Sequence, residues 1–180
     1  MLQWFRNRSQ RHARALELYG SSVAQARQPE FYRAWCVADT LDGRFELVML
    51  HVALLLRRLT AEGEAGKALG RSVVEQMFEA LDDDMRELGV GDLTVPKRVH
   101  KAASAFYGRL KVYDEALKAE DGVALSEALD RNIPVAEGAS VASGLLAAYV
   151  RAVVSSLDQQ AYAGLAQGRV TFPRVDGARS

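Results

Sequence analysis

Residues 73–117 read VVEQMFEALDDDMRELGVGDLTVPKRVHKAASAFYGRLKVYDEAL, and this stretch decides the fold. Val74, Met77, Phe78, Leu81, Met85 and Leu88 recur at helical spacing, which predicts a helix with one apolar face. Gly89 follows the last of them, where helices commonly stop on a residue that tolerates positive φ. Thr94 is placed to cap a second helix, and Pro96 falls in its first turn, where a missing N–H costs nothing. Val99, Ala103, Phe106, Leu110, Tyr113 and Leu117 then form another one-sided stripe. Two amphipathic helices joined by a Gly-rich turn are a packing unit. They name no chemistry.

Their charges are segregated. The first carries Glu75, Glu79, Asp82, Asp83, Asp84 and Glu87, with Asp92 just beyond, against Arg86 alone; the second carries Lys97, Arg98, Lys101, Arg109 and Lys111 before any acid appears. Exposed ion pairs contribute less than about 1 kcal/mol each, so this pattern does little to hold a fold. Either the two helices present complementary outer faces, or they form a docking surface that orients a partner. In the second case Asp82, Asp83, Asp84, Arg86, Lys97, Arg98 and Lys101 are the candidate partner-binding residues.

A chain of 180 residues suits one domain with a substantial core. It is 49% apolar and 26% charged with a formal net charge of zero, so whole-molecule attraction to nucleic acid or acidic lipid is not indicated. The single cysteine, Cys36, allows no internal disulfide. The longest apolar run, residues 47–56, is interrupted by His51 and falls short of the roughly 20 residues a bilayer span needs. No apolar signal segment opens the chain, and the expected location is the bacterial cytoplasm, peripheral to the inner face of the membrane.

Residues 1–14, MLQWFRNRSQRHAR, form a basic N-terminal arm in which Trp4, Phe5, Arg6, Arg8 and Arg11 are candidates for contact with an anionic membrane surface. Residues 15–168 are expected to fold as a helical bundle and 169–180 to be a polar tail. Ala13, Leu16, Tyr19, Val23 and Ala26 predict a first amphipathic helix that ends at Pro29, followed by an aromatic patch of Phe31, Tyr32 and Trp35. Thr40 or Asp42 can cap the next helix, residues 43–59. There Phe45, Val48, Val52, Leu55, Leu56 and Leu59 make one apolar face, while Leu47, Leu50 and Leu54 make a second beside His51, Arg57 and Arg58. A helix apolar on two sides is either central to a bundle or offers a groove wall to another protein's helix. Leu47, Leu50, His51, Leu54, Arg57 and Arg58 therefore join the candidate binding residues. The three glycines of residues 61–70 read as a loop or frayed helix, and residues 140–165 as one long helix. The expected fold is all-α, a single bundle of six to seven helices.

Catalytic motifs are missing. Gly89-Val90-Gly91 lacks the strand that a dinucleotide fingerprint needs, and three scattered histidines with one cysteine provide no metal spacing. Asp82–Asp84 resembles half of the paired aspartate motifs of all-α prenyl-transfer enzymes that bind magnesium diphosphate, but no second motif faces it. No cofactor, metal or nucleic acid is expected.

Four blocks carry a family resemblance: LYGSSVAQARQPEFY (residues 18–32), ADTLDGRFELVMLHVALLLRRL (38–59), the opening stretch from Asp82 onward, and ALSEALDRNI (124–133). The second is similar to the DT-x-x-GRFE-x-x-x-LH helix of the ubiquinol–cytochrome c chaperone family, bacterial relatives of the mitochondrial assembly factor Cbp3. The resemblance implies a non-enzymatic, all-helical chaperone that binds newly made cytochrome b during assembly of the bc1 complex. It covers residues 18–133, implies nothing for residues 140–180, and does not imply ribosome contact. A generic helical adaptor is the alternative.

Overall fold

The computed structural model describes residues 2–119, 122–138 and 143–175, and side chains from residue 8 onward. Among these residues the chain forms α1 (Leu2–Ala26), α2 (Pro29–Arg33), α3 (Leu41–Thr60), α4 (Gly63–Glu87), α5 (Val95–Lys118), α6 (Val123–Asn132), α7 (Ser143–Gln159) and α8 (Tyr162–Leu165), and no strand. Two of these are single-turn pieces, so the six longer helices match the expected bundle.

Helix α3 is the axis. Thr40 accepts a hydrogen bond from the Gly43 amide at 3.1 Å and starts it, as its sequence predicts. Gly43 has no room for a side chain, because a Cβ would run into the Ala38 carbonyl oxygen. Helices α1, α4, α5 and α7 all pack on α3, α4 also packs on α1 and α5, and α6 joins α5 to α7. Covered on both sides, α3 buries Leu47, Leu50 and Leu54 as completely as Val52, Leu55 and Leu59.

Of the two readings of residues 61–70, loop or frayed helix, the helical one holds: after a turn at 61–62 they are the start of α4. Gly66 lets α4 cross α3 closely, since a Cβ there would strike the Leu59 carbonyl oxygen. Gly66 and Gly70 are close-approach residues, while Gly63 supplies the positive φ at which α4 begins.

The first helix keeps Tyr19, Val23 and Ala26 of its expected face on the core, but its most buried line is rotated away from Ala13 and Leu16. Ala15, Leu18, Ser22 and Ala26 are buried while Leu16 is exposed. Ser22 fits because its hydroxyl donates back to the Leu18 carbonyl at 3.0 Å and presents no unpaired group to the core. The helix also runs without a break from Leu2, so residues 8–14 of the expected arm are its first turns. Helix α7 stops at Gln159, short of the long helix expected, and α8 follows as a separate turn. The start of the expected tail lies on the body, with Val175 buried and Val170 and Phe172 packed on the core.

Candidate functional site

Two polar clusters lie along α3, one buried and one partly buried. The first centres on His51. Its Nδ1–H donates to the Leu47 carbonyl at 2.7 Å, because a carbonyl can only accept. Nε2 therefore accepts from the Tyr149 hydroxyl at 2.8 Å. Tyr149 in turn accepts from Gln25 Nε2 at 2.9 Å, and Gln25 also donates to the Pro173 carbonyl at 2.9 Å. The relay links α1, α3, α7 and the C-terminal segment, and Phe31, Trp35 and Phe172 pack edge-on around it. Burial pushes the His51 pKa down to about 4, so the imidazole is neutral. His51 is a satisfied core group and not a free binding residue.

Arg58 is also structural. Its side chain is 9% exposed, and it donates to Glu62 at 2.5 Å, to the Leu157 carbonyl at 2.9 Å and to the Gln160 carbonyl at 2.9 Å. Those carbonyls close the C-terminus of α7, where a cation also complements the helix dipole. Leu47, Leu50, His51 and Arg58 are thus withdrawn as binding residues, since each is buried against another part of the chain. A charge placed at Leu50 would report on folding, not on binding.

The second cluster sits between α3 and α5. Glu46 meets Arg109 at 2.5 Å, with side-chain exposures of 13% and 20%. Burial pushes the Glu46 carboxyl up to about 7, outweighing the pull of Arg109 in the other direction. Burial likewise raises the Tyr113 hydroxyl, and nearby Glu46 adds to the shift. Glu46 Oε2, Arg109 Nε and the Tyr113 hydroxyl have no partner among the described residues. Here α5 closes incompletely on α3.

Alongside lies a groove of about 350 Å³ between the same two helices. Ala53, Leu54 and Leu56 of α3 and Leu110, Tyr113 and Leu117 of α5 form apolar walls, with Tyr107, Arg57, Lys111 and Asp114 around the mouth. Leu54 lines this groove although only 2% exposed, so it contributes wall and no free surface. Arg57 spans the rim, 3.7 Å from Asp114 and 3.4 Å from Asp158. Tyr107 is 54% exposed and was not singled out from the sequence. The available signal was an aromatic residue standing off the apolar stripe of its own helix.

The charged rim expected around the α4–α5 turn does not reach this groove. Arg86 pairs locally with Asp82 and Asp92, at 2.5 Å each. Asp83, Asp84, Lys97, Arg98 and Lys101 are exposed, and none lines the groove. Among the described residues no group of acids, histidines and cysteine is placed to hold a metal ion. Trp4, Phe5 and Arg6 lie outside the described side chains, while Arg8 and Arg11 are exposed on the first turns of α1. No helix of the described residues is long and apolar enough to cross a membrane.

Residues 33–172 match the family model described as Ubiquinol-cytochrome C chaperone. The chain belongs to the ubiquinol–cytochrome c chaperone family. The match extends past Ile133, where the resemblance read from the sequence stopped, and takes in α7 and the segment carrying Phe172. The chain is 39% identical to the protein in the crystal structure of the Cbp3 homolog from Brucella abortus, with a TM-score of 0.84 over 97% of each chain. It is also 31% identical over 119 residues to ubiquinol-cytochrome-c reductase complex assembly factor 1 of Xenopus laevis, covering 66% of this chain and 59% of the frog protein. The mouse protein of the same name is 31% identical over 107 residues, covering 59% of this chain and 36% of the relative. The chain therefore spans less than two thirds of the length of these animal relatives.

Proposed function

We propose that the chain is a non-enzymatic chaperone for assembly of the ubiquinol–cytochrome c reductase complex and that it holds newly made cytochrome b. The α3–α5 groove receives an apolar helical segment of that client. A membrane protein awaiting assembly presents such segments, and an elongated apolar cleft with a mixed-charge rim is the form that receives an amphipathic or apolar helix. The observation that carries the reading is this groove, on the helix that bears the family's GRFE and LH residues. Tyr107 and Leu110 supply the apolar contact, and Arg57, Lys111 and Asp114 orient the segment's flanks. The basic first turns of α1, with Arg8 and Arg11, rest against an anionic membrane surface on the cytoplasmic side, close to where the client is inserted.

Co-purification tests the groove. A tagged chain carrying Tyr107→Ala and Leu110→Ala should recover about tenfold less cytochrome b from solubilised membranes, the effect of losing one or two central apolar anchors. Its melting temperature should stay within a few degrees of the wild-type value. Undiminished recovery by this folded variant would remove the groove from the account.

A further inference from the structure

At the far end of α1 from its basic first turns, a second concavity has a different character. Arg27, Pro29, Tyr32, Arg33, Asp39 and Arg44 line a recess of about 340 Å³. Its three guanidinium groups come from three separate pieces of chain: the turn after α1, the end of α2 and the first turn of α3. They meet one carboxylate, so the lining carries a net charge of +2 on a molecule whose total is zero. Asp39 is committed to Arg44 at 2.6 Å. Neither Arg27 nor Arg33 forms an ion pair among the described residues.

The backbone between these arginines is held in place. Tyr32 donates its hydroxyl to the Ala26 carbonyl at 2.7 Å, which ties α2 back to the end of α1. Pro29 fixes the first residue of α2, and the Arg27 amide closes onto the Val23 carbonyl at 3.1 Å. Like charges gathered on a fixed frame repel one another unless an anion joins them. Planar guanidinium forks match the oxygens of a phosphate two at a time, which a point-charge ammonium cannot do.

We propose that this recess binds a phosphate group, gripped by Arg27 and Arg33 and framed by Arg44. The same chemistry is offered by a free phosphate and by the headgroup of an anionic phospholipid. The recess is independent of the client groove, because no residue lines both.

The full chain, labelled with nitrogen-15, would be titrated with inorganic phosphate at constant ionic strength while the arginine Nε resonances are followed. A parallel arm would sediment the chain with phosphatidylglycerol vesicles and with phosphatidylcholine vesicles. Two double variants accompany both arms: Arg27→Gln with Arg33→Gln, and Lys97→Gln with Lys101→Gln as a control for general surface charge. All four side chains are exposed, so both variants should keep the wild-type melting temperature. The expected result is saturable binding that weakens at least about tenfold in the arginine variant and is unchanged in the lysine variant. Response to inorganic phosphate assigns the free ion. Response to phosphatidylglycerol vesicles alone, with the same arginine dependence, assigns the headgroup. Absence of binding in both arms, or an equal loss in the two variants, would overturn the proposal.

Discussion

Little more than one turn of α3 separates the buried His51 from the partly buried Glu46, yet the two clusters are completed differently. Around His51 both ring nitrogens and the Tyr149 hydroxyl have partners, the relay drawing on α1, α7 and the C-terminal segment, and only the Trp35 Nε1 packed beside it is left without one among the described residues. Around Glu46 three polar atoms have none. Buried polar groups left unpaired cost about 1–3 kcal/mol each, so the α5 side of the molecule is the less finished side. The contrast assigns the two faces of α3 different work. One locks the fold, and the other leaves a groove that a partner can complete.

The largest expected effect comes from breaking the locked side. His51→Leu removes the acceptor of the Tyr149 hydroxyl proton, leaving that buried donor without a partner while Gln25 still donates to its oxygen, at a cost of roughly 3 kcal/mol in urea denaturation. Arg58→Met should cost roughly 2 kcal/mol by the same measure, because two carbonyls at the end of α7 lose a charged donor.

The pH dependence sharpens the comparison, because the two clusters pull in opposite directions. Folding lowers His51 from 6.5 to about 4, so the native state binds its proton less tightly than the unfolded chain does. Its stabilising contribution is full above pH 6.5 and is lost as pH falls through about 4. Folding raises Glu46 from 4.5 to about 7, so its contribution is full below pH 4.5 and is lost as pH rises through about 7. Between 4.5 and 6.5 the slopes oppose one another in the wild type. Glu46→Gln should expose a stability that climbs with pH, and His51→Leu one that declines. Urea midpoints taken across that window check both, and two variants with identical profiles would erase the distinction.

Smaller effects belong to the surface. The groove substitutions at Tyr107 and Leu110 should weaken client capture about tenfold, equivalent to about 1.4 kcal/mol, with little change in melting. Arg86→Ala should cost less than about 1 kcal/mol despite two ion pairs, because its partners on the α4–α5 turn are solvated. Thermal denaturation in low and high salt would show how little those pairs contribute.

Much of the fold was legible from periodicity. The stripes of α4 and α5, the Thr40 cap and the turn at Gly89, whose φ is +77°, follow from local chemistry that the sequence displays directly. Residues 61–70 stayed open between loop and frayed helix because a glycine that allows close packing looks the same in sequence as one that breaks a helix. The rotated face of α1 was hidden by Ser22, whose burial depends on a hydrogen bond within its own helix. At the site, the double apolar face of α3 was visible, but that both stripes are covered depended on where the neighbouring helices docked. That is tertiary information. The groove residues Tyr107 and Leu110 and the partners of Arg58 depend on it in the same way.

The most direct measurement places a photo-crosslinking amino acid at Tyr107, at the groove mouth, and separately at Leu145, an exposed position on α7 outside the groove. Both chains would be expressed in cells assembling the ubiquinol–cytochrome c reductase complex and irradiated before solubilisation. The account predicts a crosslink to cytochrome b from position 107 and none from position 145. Equal crosslinking from both positions, or crosslinking from 145 alone, would contradict it.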